Sequence, residues 1–448
     1  MKLVLLSGGS GKRLWPLSND SRSKQFLKVL VNPEGRMESM VQRVWRQLTA
    51  VRMNDSTYTI TGAAQLEILQ NQIGVHKRVL VEPERRDTFP AIALAATYLY
   101  SIEGLGLDEV IGVLPVDPYV EERFFESVKA LERTLADSGA DIALVGVKPL
   151  HASEKYGYIV PDEPSDRERP YRNVRYFKEK PSESQAEELI RQHALWNCGV
   201  FAFRLGYLID YLVKKGFPIQ YEAMLRHYEK LPKRSFDYEL VEKADRIVVT
   251  SYEGYWKDLG TWNTLTDEMS QKQLGNAMIS EDSHNTHVVN EMDIPITVVG
   301  LSDVIVAASP DGVLVSDKSK SPRIKEMLKH VDRRPMYEER QWGNYRVLDY
   351  KRAWEGEEVL TKRISIESGK GLEYEMHMLR DEVAIIVSGT GTFTMGGVSK
   401  RVGPGDVLQI PAGYGHSIKA ISDLEFIEVQ RGGQLLENDC LPASNHYA

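Results

Sequence analysis

Three glycines, Lys12, Arg13 and Lys24 crowd the segment 7-SGGSGKRLWPLSNDSRSKQFL-27, directly behind the apolar run at residues 2 to 6. A glycine-rich turn lets backbone N–H groups approach phosphate oxygens, and the cations neutralise them. The chemistry this suits is the gripping of a phosphorylated ligand. It is not a Walker A loop, because Leu6 stands where the first glycine of GxxxxGK[ST] would be and Arg13 follows Lys12. The dinucleotide pattern GxGxxG fails at Leu14. On the glycines alone an ordinary tight turn also accounts for the segment. A second group lies near the other end of the chain. Glu375 and His377 are two apart, so on a strand they face one side, and with Glu382 and His416 they could converge on one metal. Two imidazoles and two carboxylates suit Zn²⁺, Mn²⁺ or Fe²⁺.

The elements that must position these groups can be read from periodicity. Residues 2 to 6 read as a buried strand entering the glycine loop. Phe124, Val128, Leu131 and Leu135 recur at helical spacing before the strand candidate 142-IALVGVKPL-150. Pro90 opens another helical stretch behind an Asp87-Thr88 capping signal. This alternation runs to about residue 265. From about 275 to 317, short Val/Ile/Thr runs separated by turn residues predict a β meander. The stretch 318-KSKSPRIKEMLKHVDRR-334 predicts a helix with Ile324, Met327, Leu328 and Val331 on one face and solvated basic residues on the other. From 342 onward, β-branched and aromatic runs between Gly and Pro turns predict a small all-β barrel or sandwich.

With 448 residues the chain is long enough for two or three domains. Its 42% apolar and 27% charged residues exclude disorder and fibres. A net charge of −8 argues against a surface devoted to nucleic acid or an anionic membrane. The balance is local, however: residues 1 to 40 carry seven Lys or Arg against three Asp or Glu. Cys198 and Cys440 are too few and too far apart for a disulfide framework or a CxxC pair, which fits a reducing cytoplasm. No signal-peptide core and no run of about 18 apolar residues is present.

The loop and its continuation resemble the GGxGxRLWPLS…PKQFL signature of sugar-nucleotide pyrophosphorylases, in particular mannose-1-phosphate guanylyltransferases. Further blocks follow in order: 82-EPERRDTFPAIALAA-96, 114-LPVDPYV-120, 156-YGYI-159, 177-FKEKP-181, 196-WNCGVFAF-203 and 256-WKDLGTW-262. The resemblance spans essentially the whole chain. It implies an α/β fold, with a Rossmann-like nucleotidyltransferase domain of mixed sheet over 1–265. A β-rich linker with a short helix over 266–335 and an all-β cupin barrel over 336–448 would follow. The implied reaction converts mannose 1-phosphate and GTP to GDP-mannose and pyrophosphate by Mg²⁺-assisted in-line attack. The implied Mg²⁺ ligands are Asp117 and Asp258. Arg13 and Lys24 would meet the triphosphate, with Ser7, Gly8, Gly9, Gly11 and Arg85 around the nucleotide. Lys180 would grip the sugar phosphate, with Glu179, Asn197 and Gly157 at the sugar. A homo-oligomer is left open.

The chain departs from the family at Ser23, Asp87, Pro118 and Lys178. None of these removes a charge the mechanism needs, but Asp87 and Pro118 lie where base and sugar would be chosen. A pyrophosphorylase for another sugar 1-phosphate or nucleotide, and a catalytically silent sugar-nucleotide-binding regulator, are the alternatives. The C-terminal part carries the spacing of two cupin motifs and resembles type II phosphomannose isomerase. There the family reads QMHHHRAEHW and this chain 375-EMHMLRDEVA-384, with Met378 and Leu379 in place of histidines and a tail, 436-LENDCLPASNHYA-448, lacking the usual arginine. Isomerase activity, a metal-bearing cupin of another kind and an empty structural barrel all stay open.

Overall fold

The structure is a computed structural model that describes residues 1–9, 11–75, 78–163, 169–330, 334–352, 356–433, 435 and 440–442. Val331 and most of the 436–448 tail, on which expectations were placed above, lie outside the described residues. The chain divides into two compact units. One comprises Met1–Leu14 and Ser23–Gln271, the other Trp15–Arg22 and Lys272–Ala448. None of the helices in the described residues is long and apolar enough to cross a membrane.

The first unit is built on a nine-stranded sheet. Its order is Val79–Glu82, Thr57–Gly62, Lys2–Leu6, Val110–Pro115, Leu195–Arg204, Ile142–Val147, Ile247–Tyr252, Arg172–Lys178 and Tyr158–Pro161. The first four strands in this order pair in parallel, whereas Leu195–Arg204 runs antiparallel to both of its central neighbours, so the sheet is mixed. Alternate residues of one strand feed two cores. Leu3 and Leu5 join the cluster containing Phe124, Val128, Leu131 and Leu135, and Val4 joins the one containing Phe89, Ile92 and Leu99. A period of two is what a strand covered on both faces requires. The helix Arg123–Ser138 buries its apolar stripe as its spacing predicts. The helix Thr88–Ser101 is capped by Asp87, whose side chain accepts from Thr88 N.

The second unit departs from two expectations. Residues 273 to 309 are not a meander: Gln273–Leu274, His287–Asn290 and Val304–Ser309 pair in parallel, as do Ala277–Ile279 and Ile296–Val298. Parallel pairing of strands that are not consecutive requires the chain to coil rather than double back, and short Val/Ile runs carry no mark of strand direction. The basic stretch is not one amphipathic helix either. It breaks into the 3-10 turn Lys318–Arg323, the single α-turn Ile324–Met327 and the 3-10 turn Leu328–His330, leaving Met327 75% exposed. Nor is every lysine there solvated, since buried Lys318 donates to Asn285 Oδ1 and meets His287 Nδ1 at 2.8 Å.

Beyond residue 336 the chain is β, with a six-stranded and a five-stranded sheet around a core of Ile364, Ile386, Phe393, Ile418 and Phe426. The short segment Trp15–Arg22 belongs to this unit by its contacts. Ser309 Oγ donates to Pro16 O at 2.6 Å, Asn19 Nδ2 to Asp311 Oδ2 at 2.8 Å, and Arg22 to both oxygens of Glu291.

Candidate active site

The strand Lys2–Leu6 delivers the glycine loop to the C-terminal edge of the sheet, where open α/β sheets place their ligands. Ser7 is fully buried. Its N–H donates to Ile60 O and its carbonyl accepts from Gln25 Nε2 at 2.8 Å, while its Oγ has no partner among the described residues. Gln65 Nε2 donates to Gly9 O at 3.2 Å. A Cβ on Gly8 would stand 3.1 Å from Glu82 Oε1, so glycine keeps this backbone close to a carboxylate. Glu82 accepts from Tyr228 at 2.7 Å, and burial pushes its pKa up. Arg85 lies near enough for its charge to oppose that rise. Gly11 begins the 3-10 turn Gly11–Leu14, from which Lys12 and Arg13 stand exposed.

Asp117 and Asp258 lie 141 positions apart in sequence, yet one short ladder brings them together. The strands Pro118–Val120 and Trp256–Asp258 pair antiparallel with Asp258 opposite Pro118. Asp117 lies in the link between the strand Val110–Pro115 and this short ladder. Lys24 Nζ meets Asp117 Oδ2 at 2.8 Å and Asp258 Oδ1 at 3.6 Å. Burial alone would raise Asp117, but the Lys24 ammonium outweighs it and holds this carboxyl below its ordinary range. Asp258 goes the other way, raised first by burial and also by the negative charge of Asp117. Arg13 lowers both. For Lys24 the two carboxylates overcome burial and raise its pKa.

A second cluster gathers Gly157, Glu179, Lys180 and Asn197. Asn197 N donates to Gly157 O at 2.8 Å, and Lys180 Nζ donates to Glu179 Oε1 at 2.7 Å. Glu179 Oε2 is buried without a partner among the described residues. It lies 2.5 Å from where a Gly157 Cβ would be. Lys180 adopts a left-handed φ of 45°, uncommon for a side-chain-bearing residue, and its N–H donates to Tyr156 O. Tyr156, whose phenol is raised by burial and by Asp258 and Asp117, stands between this cluster and the aspartate pair.

Sequence reasoning missed Asp237 here. Asn197 Nδ2 donates to its Oδ1 at 2.6 Å, and burial followed by the charge of Glu179 pushes its pKa up to about 7. Its only local signal is the cap at Ser235, which marks a helix start and no chemistry. Gln25 stood within the quoted SKQFL string, but a buried glutamine supporting a loop carbonyl has no pattern of its own.

In the barrel, Glu375 pairs with His416 across adjacent strands, and the ligand atoms of Glu375, His377 and His416 lie within 4.8 Å of one another. His416 Nε2 meets Glu382 Oε2 at 3.3 Å, while its Nδ1 faces Tyr414 O. The cation present among these donors is Arg380, whose Nε donates to Glu382 Oε1 at 2.8 Å and whose Nη2 meets His377 Nε2 at 3.1 Å. Gln430 completes the network on Glu382 and Glu428.

Residues 2–274 match the family described as Nucleotidyl transferase. Residues 276–331 match a MannoseP isomerase/GMP-like beta-helix domain, and residues 328–443 match the Mannose-6-phosphate isomerase C-terminal family. The chain is 30% identical over 485 residues to the xanthan biosynthesis protein XanB of Xanthomonas campestris pv. campestris, covering 99% of this chain and 98% of that one. It is 28% identical over 490 residues to mannose-1-phosphate guanylyltransferase 2 of Escherichia coli O157:H7, covering 99% and 98%. Among solved structures, one titled mannose-1-phosphate geranyltransferase from Thermus thermophilus superposes with a TM-score of 0.59 at 30% identity, over 74% of this chain and 99% of that one.

Proposed function

The chain belongs to the nucleotidyl transferase family, and from that premise we propose that it joins mannose 1-phosphate to the guanylyl group of GTP. A phosphate oxygen of the sugar phosphate forms a bond to the α-phosphorus. The bond from that phosphorus to the oxygen bridging to the β-phosphorus breaks, and pyrophosphate leaves with the electron pair. The observation that carries this reading is the half-buried Asp117–Lys24–Asp258 arrangement beside the glycine loop. Two carboxylates facing one ammonium are a hard-oxygen donor set of the kind Mg²⁺ takes. Asp117 and Asp258 would hold Mg²⁺, which supplies charge neutralisation at the phosphates.

The remaining work falls to the chain's own groups. Backbone amides from Ser7 to Gly11 approach the nucleotide, with Arg85 beside them. Arg13 and Lys24 counter charge growing on the leaving pyrophosphate, Arg13 through a fork and Lys24 as a point charge. Lys180 holds the sugar phosphate, while Glu179, Asn197 and Gly157 meet the sugar. The setting that goes with this reading is the cytoplasm, with neither nucleic acid nor membrane as partner. A homo-oligomer is open.

Pyrophosphate release measured over a panel of nucleoside triphosphates and sugar 1-phosphates, with and without Mg²⁺, tests the reading. The expected result is Mg²⁺-dependent turnover with GTP and mannose 1-phosphate. No turnover on any pair would sink it, and turnover on another pair would move the specificity to the departures at Asp87 and Pro118. Asp258→Asn is expected to lower kcat by on the order of a hundredfold or more at unchanged fold.

The grouping of Glu375, His377 and His416 supports a divalent transition ion there, with Glu382 as a fourth donor once Arg380 is displaced from it and from His377 Nε2, and with Tyr414 O orienting His416. Metal analysis of the full chain is expected to give about one ion beyond Mg²⁺, lost in His377→Ala. With Met378 and Leu379 in place of imidazoles, no interconversion of mannose 6-phosphate and fructose 6-phosphate is expected.

A further inference from the structure

A cavity of about 330 Å³ in the second unit is lined by Glu291, Tyr337, Asn344, Arg346, Arg363 and Ser365, none of which belongs to the sites above. One wall is the outer face of the barrel's six-stranded sheet. On the strands Tyr337–Arg340, Gly343–Arg352 and Glu358–Ile366, Tyr337 stands opposite Arg346 and Arg346 opposite Arg363. Asn344 stands opposite Ser365 two positions along, and therefore on the same face. The intervening Tyr345, Val347 and Ile364 point the other way, into the barrel core.

Two arginines directly opposed on antiparallel strands bring like charges together at a Cβ separation of roughly 5 Å, which is destabilising when nothing lies between them. The acids on this face do not pair with Arg363: Glu339, opposite Asn344, meets Arg22 Nε at 3.5 Å, and Glu425, opposite Ser365, has no ion pair among the described residues. Arg346 reaches Asp293 at 3.1 Å, but the side chain of that aspartate is 86% exposed, where an ion pair is worth little. Glu291 is already committed to Arg22, whose guanidinium it grips with both oxygens at 2.7 and 2.9 Å. Arg363 is exposed and has no ion pair or side-chain hydrogen bond among the described residues.

We infer that this cavity is a binding site for a phosphate-bearing small molecule. A tetrahedral dianion accepts from two guanidinium forks at once, and it would turn the Arg346–Arg363 repulsion into attraction. Asn344 and Ser365 add an amide and a hydroxyl donor beside the forks. The cavity has room for more than the phosphate itself, since pockets of this size take small organic ligands.

Crystals of the full chain soaked in sodium tungstate, a phosphate isostere with strong anomalous scattering, resolve this site from the glycine loop. The expected result is a tungsten peak within hydrogen-bond reach of Arg346 and Arg363. That peak should be absent in Arg363→Ala and weakened in Arg363→Lys, which keeps the charge without the fork. Competition by inorganic phosphate and by a hexose 6-phosphate distinguishes the source. Displacement at about tenfold lower concentration by the hexose 6-phosphate assigns an organic phosphate, and equal displacement assigns free phosphate. No peak in the wild type, or an undiminished peak in Arg363→Ala, overturns the inference.

Discussion

Asp117 and Asp258 have the same side chain and share one lysine, yet their carboxyls shift in opposite directions. The difference comes from geometry: Lys24 sits 2.8 Å from one and 3.6 Å from the other, so only the nearer acid regains what burial costs. Asp237 carries a further consequence at this scale. Its folded pKa, about 7, lies above that of an unfolded aspartate, so between roughly pH 4 and 7 the folded chain holds a proton that the unfolded chain lacks. The stability this proton contributes is fully present below about pH 4 and is lost as the pH rises through 7. The thermal midpoint should therefore fall more between pH 5 and 8 in the wild type than in Asp237→Asn. Equal falls in the two proteins would remove Asp237 as the cause.

Short elements govern how these residues meet. The ladder between Pro118–Val120 and Trp256–Asp258 is only three residues long on each strand, but it sets Asp258 beside the residue following Asp117. Gly157 performs a comparable service in the second cluster, where the strand Leu195–Arg204 passes so close that Asn197 N donates to its carbonyl. A Cβ there would stand 2.5 Å from Glu179 Oε2 and 2.6 Å from the Phe177 ring. Gly157→Ala is expected to destabilise the chain by about 1–3 kcal/mol through overpacking. It should also raise the KM for the sugar phosphate more than it lowers kcat, as steady-state kinetics beside a denaturant melt would show. An unchanged KM would take Gly157 and Glu179 out of the sugar site.

At the scale of the whole molecule, the segment Trp15–Arg22, which lies between Arg13 and Lys24, belongs by its contacts to the second unit, although Leu14 and Ser23 on either side of it belong to the first. A fragment of residues 1–271 removes Ser309, Asp311 and Glu291, the partners of Pro16, Asn19 and Arg22. Freed of them, the segment regains backbone entropy, and the covalent link between Arg13 and Lys24 loses its fixed conformation. Turnover by that fragment should drop by on the order of tenfold or more even where circular dichroism shows it folded, and full activity would refute this.

The apolar alternation of residues 2 to 6, the helical stripe from Phe124 to Leu135 and the glycine loop were legible in the chain because each is local. Burial periodicity and φ freedom are written within a few residues of one another. The chemical residues Lys24, Asp117, Asp258, Glu179 and Asn197 were legible as types in recognisable strings. What only the tertiary structure decided is which of them touch, and which silent residues they touch. The parallel coiling of residues 273 to 309, the burial of Lys318, and the place of Asp237 behind Asn197 all depend on partners far away in sequence. Electrostatic energy and burial are set by distance in space, and the sequence order of two residues carries no record of that distance until the chain has folded.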